Sequence, residues 1–455
     1  MYFYNAPKKA LEVYSACYKV AREVLDELVK NAPFVEIPQT LESNSLTARF
    51  NSKPQIIENP EITQLKIFLN TKLEVRIAQT LLNLFEKPKQ EAQQALEILI
   101  NLQAQNTNND VYWLAFARTL EYTGHYAQAE QAYRRVFAIS DASMHNAGIA
   151  HFWLAYLLMR QNRFKEALEL YEHRLVFAKS EVFSPLHYNL AKEAFLQDSN
   201  VFKGKEICVY CEQGFGDTLM FMRTLQALCA VAKKVYFSPQ SALYPLFKEK
   251  LSREDVFKKI ELLDRIPQSF DYALPLTSLP YFLGLDTLEK ILALKTPLTL
   301  KRKAPKNKIK RIGFFWHTDF AINERNSRNF SLEFFLNFLL ELENVELVSL
   351  QVGDFELPKN VENIGKGFKD WLDTYKAMEN LDCVVGIDSS PAHLALLCGI
   401  QTLIILQPRF DWRFGLYEAP KAKFYGENAH LFVAHPKDFS AKDGILEKIY
   451  KMLES

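Results

Sequence analysis

The 455-residue sequence has little of what marks an unusual chain. Six cysteines, Cys17, Cys208, Cys211, Cys229, Cys383 and Cys398, are too few to read as a disulfide framework at this length. Only 15 glycines and 19 prolines are present, which argues against long disordered or fibrous tracts. Neither sign of charge dominates: 55 Lys and Arg against 54 Asp and Glu leave +1, so the field of the whole molecule gives no reason to expect nucleic acid as the main partner. Long apolar runs are missing too. The most apolar stretch, 381–406, is interrupted by Asp382, Asp388, Pro391 and His393, too much polarity for a spanning helix. No basic segment followed by an apolar one opens the chain. The expectation is a folded cytoplasmic protein with reduced thiols, not transmembrane.

What is present is enough apolar content, 48%, for two to four domains with real cores. Cys208 and Cys211 form a CxxC, a spacing that elsewhere signals metal or redox chemistry. Here they lie in an apolar run read as a strand, where positions three apart face opposite sides, so a core role is expected and no metal site.

Two periodicities divide the chain. From about 61 to 198 it reads as helices with small residues where helices approach closely. Trp113, Leu114, Ala115, Phe116 and Ala117, then Gly124, Tyr126, Ala129, Tyr133 and Val136, follow the tetratricopeptide order, a helix-turn-helix of about 34 residues. A second unit has Leu154, Ala155, Asn162, Phe164, Ala167 and Tyr171, its small residue 38 positions on, from 129 to 167. A weaker unit precedes them with Ala95, Leu99 and Leu102. Stacked helix pairs of this kind commonly offer a concave face to a peptide or protein. Residues 1–60, with Pro33, Pro38, Pro54 and Pro60, are expected to be an irregular helical lead-in.

After about 199 short apolar runs recur at 207–211, 234–237, 260–263, 272–276, 312–316, 345–351, 383–387 and 402–406, with amphipathic stretches between them. Strands alternating with helices predict doubly wound parallel sheets. The basic run 301–311, KRKAPKNKIKR, reads as a solvated linker that separates two Rossmann-like halves, 199–300 and 312–455. A ligand is then expected outside the carboxyl ends of the strands.

Two turns fall there. In the first, Gln213, Gly214, Phe215, Gly216 and Asp217 join the strand at 207–211 to a helix expected at 218–232. Glycines permit close approach of backbone to a ligand, and Asp217 is read either as a helix N-cap or as a group with chemistry. In the second, Asp388, Ser389, Ser390, Pro391 and His393 follow the strand at 383–387. Hydroxyls and free amides at a helix start make an anion site, suited to a diphosphate; the alternative is capping, with His393 in the core.

These stretches carry a resemblance. Gly204-Lys205, Glu212 to Asp217 with Phe221 and Arg223, Arg311 to Trp316, Asp388 to Ala395, and Asp411-Trp412-Arg413 follow the order found in glycosyltransferase family 9, typified by the lipopolysaccharide heptosyltransferases, and more closely in its branch preceded by tetratricopeptide repeats. The resemblance implies an α + α/β chain: helical repeats followed by a GT-B region of two Rossmann-like domains, acceptor side first and nucleotide-sugar side second. It implies an inverting, metal-independent glycosyltransferase without a cofactor, its donor a nucleotide sugar. Asp217 would be the catalytic base. Gly214, Gly216, Asp388, Ser389, Ser390 and His393 would line the donor site, with Arg325 or Arg328 meeting the diphosphate. Ser390 stands where the family usually has Gly. Three functions are consistent with this reading: transfer to a protein recruited by the repeats, such as flagellin or another surface protein; lipopolysaccharide heptosyl transfer to a glycolipid; or a repeat scaffold with an inactive GT-B domain.

Overall fold

The computed structural model describes residues 7–31, 69, 72, 74–81, 88–139, 144–177, 185–264, 267, 269–300, 309–318 and 328–454. The four prolines of the expected lead-in and 301–308 of the basic run lie outside these residues. The chain forms two compact units, Met1–Ala150 and His151–Ser455.

The first unit is helical. Pro7–Asn31 is one helix where an irregular lead-in was expected. Glu74–Leu81 and Pro88–Leu102 follow, with Ala95, Leu99 and Leu102 buried as the small-and-large spacing predicted. Asp110–Tyr122 and Tyr126–Ala138 form a helix-turn-helix pair. Its first helix starts at Asn109, whose side chain accepts from the Tyr112 amide. Between the two, Gly124 takes φ +80°, a value that costs glycine least. Ala115, Ala117, Ala129, Tyr133 and Val136 are buried along the contact.

The second unit opens with the same local geometry. The helix Met144–Arg160, most of which belongs to this unit, turns into Phe164–Tyr171 through Asn162 at φ +62°. The Arg163 amide donates to the Leu158 carbonyl there, as His125 does to Leu120 in the earlier turn. A 3₁₀ segment, Glu172–Phe177, and the helix Pro185–Gln197 precede the first sheet.

That sheet has four parallel strands, β1 (Glu206–Tyr210), β2 (Lys234–Ser238), β3 (Ile260–Leu262) and β4 (Tyr272–Pro275), in the order β3-β2-β1-β4. Cys208 lies opposite Tyr236 and Ala273 and is buried among them. All six cysteines are free; burial pushes the Cys208 thiol up to about 12, the behaviour of a packing group.

The second sheet has six parallel strands, β5 (Lys310–Phe314), β6 (Val345–Ser349), β7 (Val361–Asn363), β8 (Cys383–Ile387), β9 (Gln401–Leu406) and β10 (Ala429–Val433). Their order is β10-β9-β8-β5-β6-β7. The central β8 is wholly buried, and the edge strand β10 is not. Lys310 and Arg311, read as the end of a linker, begin β5 because the ladder to β6 pairs them with Val345 and Glu346.

In both sheets the chain reverses direction of travel beside the first strand, between β1 and β4 and between β5 and β8. Crevices open at the carboxyl ends of strands at such points, so topology alone marks the segments after β1, β4, β5 and β8. The expected division at 198/199 differs from what is found: residues 151–197 belong to the unit of the sheets. Aromatic packing and buried polar contacts both tie this segment to the sheets.

Candidate active site

The Gln213-to-Asp217 turn enters its helix earlier than expected. The helix spans Phe215–Phe221, passes through a 3₁₀ turn at Met222–Thr224 and resumes at Leu225–Val231. Gly214 is the N-cap, and it has no side chain to accept a hydrogen bond. Asp217 sits within the first turn and is not the cap, so that reading is corrected. Its Oδ1 accepts instead from Arg413 Nη2 at 2.8 Å.

Arg413 belongs to the 3₁₀ turn Trp412–Phe414 that follows β9. Its Nε donates to Asp411 Oδ1 at 2.9 Å, and Nη1 lies 3.3 Å from His393 Nε2. A guanidinium has no lone pair to offer, so His393 Nε2 is the acceptor and Nδ1 carries the proton, facing the Tyr425 hydroxyl in close contact. Burial works against the Arg413 cation, but Asp411, Asp217 and Asp388 outweigh it and hold the group charged well above the ordinary arginine range. Burial lowers the His393 pKa, partly offset by Asp388, which favours a neutral ring.

Gly216 explains why a glycine is needed beside this group. A Cβ there would stand 2.7 Å from His393 Cδ2, closer than side chains pack. The glycine turn after β1 therefore rests on the histidine of the turn after β8, and the two predicted turns come together.

On the β8 side, Asp388 follows the strand and Ser389 caps the helix Ser390–Leu397, with Pro391 in its first turn. The Ser389 hydroxyl makes no capping bond, and among the described residues its Oγ and Asp388 Oδ1 are buried without a hydrogen-bond partner. Arg328 reaches this corner: Nη1 donates to the Asp388 carbonyl at 3.2 Å and lies 3.4 Å from Asp388 Oδ2. Burial opposes the Asp388 carboxylate, yet the Arg328 charge first and that of Arg413 outweigh it and hold the group well below the usual carboxylate range. Arg325 lies outside the described residues. Trp412 is buried against Tyr156, Phe164 and Phe424.

Glu212, Tyr425 and Arg413 were given no role in the site from the sequence, although Glu212 and Arg413 lie in stretches that carry the resemblance. The partner of Glu212 was not legible, because Arg174 is 38 residues away. Arg174 donates through Nε and Nη2 to Glu212 Oε1 at 3.1 and 2.7 Å, through Nη1 to Glu172 Oε1 at 2.8 Å, and through Nη2 to Ser278 Oγ at 2.7 Å. Thr277 Oγ1 also donates to Glu212, and Ser278 and Tyr188 donate to Glu172. This network joins the helical segment 164–177 to the ends of β1 and β4, and all its charged members are buried.

Among the described residues no group of three or more His, Cys, Asp and Glu side chains is arranged to hold a metal ion, and no helix is long and apolar enough to cross a membrane. No protein-family model matches the chain, and no curated protein sequence matches it. Among solved structures it is similar to a glycosyl transferase family 9 protein from Veillonella parvula, at 12% identity over 56% of this chain and 99% of that one, with a TM-score of 0.33. It is similar to ADP-heptose lps heptosyltransferase II of E. coli, at 12% identity over 55% and 98% of the two chains, TM-score 0.36. A mutant O-GlcNAc transferase from Thermobaculum terrenum shares 12% identity over 86% of this chain and 94% of that one, TM-score 0.23.

Proposed function

We propose that the two-sheet unit is an inverting glycosyltransferase that moves a sugar from a nucleotide-diphosphate donor to an acceptor hydroxyl. The observation that carries this reading is the bridge made by Arg413, which ties Asp217, at the end of the first sheet, to His393 and the Asp388 corner at the end of the second. Acid on one side and unpartnered polar groups with a cation on the other is the arrangement that base-assisted displacement of a diphosphate requires.

In this scheme the acceptor oxygen attacks the anomeric carbon and forms the new C–O bond while its proton passes to Asp217. The bond from that carbon to the diphosphate oxygen breaks, and the nucleotide diphosphate leaves with the electron pair. Arg413 occupies Oδ1 of Asp217, so Oδ2 is the oxygen assigned to the proton. Developing charge on the leaving group is met by Ser389 Oγ, the first amides of Ser390–Leu397 and Arg328, without a cofactor or metal. Arg325 is a second candidate for that role. The helix pairs at 88–138 and 144–171 are read as tetratricopeptide units that recruit the acceptor, a protein in our reading, in the cytoplasm.

Thermal-shift measurements with ADP-, GDP-, UDP- and CMP-linked sugars, followed by transfer of a labelled sugar to candidate proteins and to lipopolysaccharide core, test the proposal. A raised melting temperature with one donor class and transfer abolished by Asp217→Ala are expected. Wild-type protein that neither binds nor transfers any of them would count decisively against it.

A further inference from the structure

We propose that Arg160 and Arg174, both from the helical segment ahead of the first sheet, are positioning residues, one for each loop of the candidate site. The proposal rests on the transferase reading for its chemistry and on hydrogen-bond geometry for its structure. Arg160 is buried and turns toward the loop that carries Arg413. Its Nη1 donates to the Gly415 carbonyl at 2.5 Å and lies 3.5 Å from the Asp411 carbonyl. Its Nη2 donates to the Phe410 carbonyl and the Tyr417 hydroxyl, each at 3.0 Å. The guanidinium also stands 4.0 Å from the Tyr417 ring centroid. A buried cation directed at three backbone carbonyls of one loop fixes that loop's course, and Asp411, Trp412 and Arg413 lie inside the span it holds. Arg174 does the same for the other loop through Glu212, the residue that opens the turn leading to Asp217.

A surface arginine is free to be replaced by lysine; these two make forks that lysine cannot reproduce, since an ammonium is a single point from which three donors radiate. Arg160 donates to carbonyl oxygens and a hydroxyl, and Arg174 faces two carboxylates. Their common feature is that each holds a strand-end loop from the same short helical segment. The site is therefore assembled from three parts: two sheets and the helices Met144–Arg160 and Phe164–Tyr171 with the 3₁₀ turn after them.

The test uses the full chain with Arg160→Met, Arg160→Lys, Arg174→Met and Arg174→Lys, read first by hydrogen exchange with peptide-level mass spectrometry. In Arg160→Met the amides of Phe414, Gly415 and Lys421, which are hydrogen-bonded within the loop, are expected to exchange at least about tenfold faster, while peptides of β8 and β9 keep their protection. Arg174→Met is expected to do this for 212–218. The lysine variants keep the charge and should restore protection only in part. Where the wild type transfers sugar, kcat is expected to fall on the order of 10- to 100-fold with donor KM little changed. Unchanged loop exchange in both methionine variants, or full rescue by lysine, overturns the proposal. If a methionine variant does not fold, the corresponding lysine variant decides: wild-type loop exchange in it overturns the assignment, and selective loop opening supports it. A wild type without transferase activity removes the functional reading, while the exchange data still decide whether the two arginines hold the loops.

Discussion

Arg413 and Asp217 are 196 positions apart in the chain and form a 2.8 Å ion pair, with the guanidinium almost wholly enclosed and the carboxylate largely so. The pair sets the direction of Asp217: Oδ1 meets Arg413 from the turn after β9, while Oδ2 stays beside Gly214 at the helix start. Position and chemistry can therefore be separated by substitution. In Asp217→Asn the amide oxygen can still accept from Arg413, but no base remains. Transfer is expected to fall by roughly 10²- to 10⁴-fold while the melting temperature and donor binding stay close to wild type. Steady-state kinetics alongside calorimetry check this, and an asparagine variant of near-normal kcat would remove Asp217 from the mechanism.

Removing the other partner should do something different. Arg413→Met leaves Asp217, Asp411 and Asp388 in a buried corner without their shared cation, a change that typically costs about 3–5 kcal/mol. Arg413→Lys returns the charge but not the fork that reaches Asp411, Asp217 and His393 together, so only part of the loss should be recovered. Urea denaturation followed by circular dichroism measures both; a methionine variant as stable as wild type would mean that the corner is solvated.

Much of this architecture was legible in advance. Eight of the ten strands coincide with apolar runs, and the two that were missed, β7 and β10, are the edge strands of the second sheet. Asp388, Ser389, His393, Gly214 and Gly216 were legible as candidates because strand ends, glycines and helix starts are local signals. Arg160 and Arg174 were not, since nothing near them in sequence announces partners after β9 and β1. The same holds for the segment 151–197, where the helical period continues: aromatic packing of Tyr156 and Phe164 on Trp412 and the long-range contacts of Arg160, Arg174 and Glu172 show that it packs with the sheets.

The contact of Gly216 with His393 yields a packing prediction. Gly216→Ala places a methyl 2.7 Å from a ring that is itself enclosed, so either the helix start or the histidine must move. A cost of about 1–3 kcal/mol is expected. Gly367→Ala is the control, since a Cβ there meets nothing within 4 Å. Comparing the two by thermal denaturation isolates the clash; equal stability would show that the histidine has room to yield.

Acid sensitivity offers a last test, and its sign follows from where protons bind. His173 is half-buried and stacks on His151 at 4.0 Å between ring centroids. Burial first, then the His151 and Lys192 charges, lower its pKa to about 4. An unfolded histidine titrates near 6.5, so between about pH 6.5 and 4 the unfolded chain binds the proton that the folded chain refuses. Stability from this group is present in full above that window and is lost as pH falls through it. His393, also lowered by burial, acts with the same sign. Asp388, held below the usual carboxylate range, begins to contribute only lower, as pH drops under about 4. Melting temperature should therefore begin to fall between pH 7 and 5, before the carboxylates take part. His173→Gln removes one titrating group without adding charge, so its melting temperature should depend less on pH over that interval than that of the wild type. If wild type and variant lose stability in parallel from pH 7 to 5, the stacked histidines are not what makes the fold sensitive to mild acid.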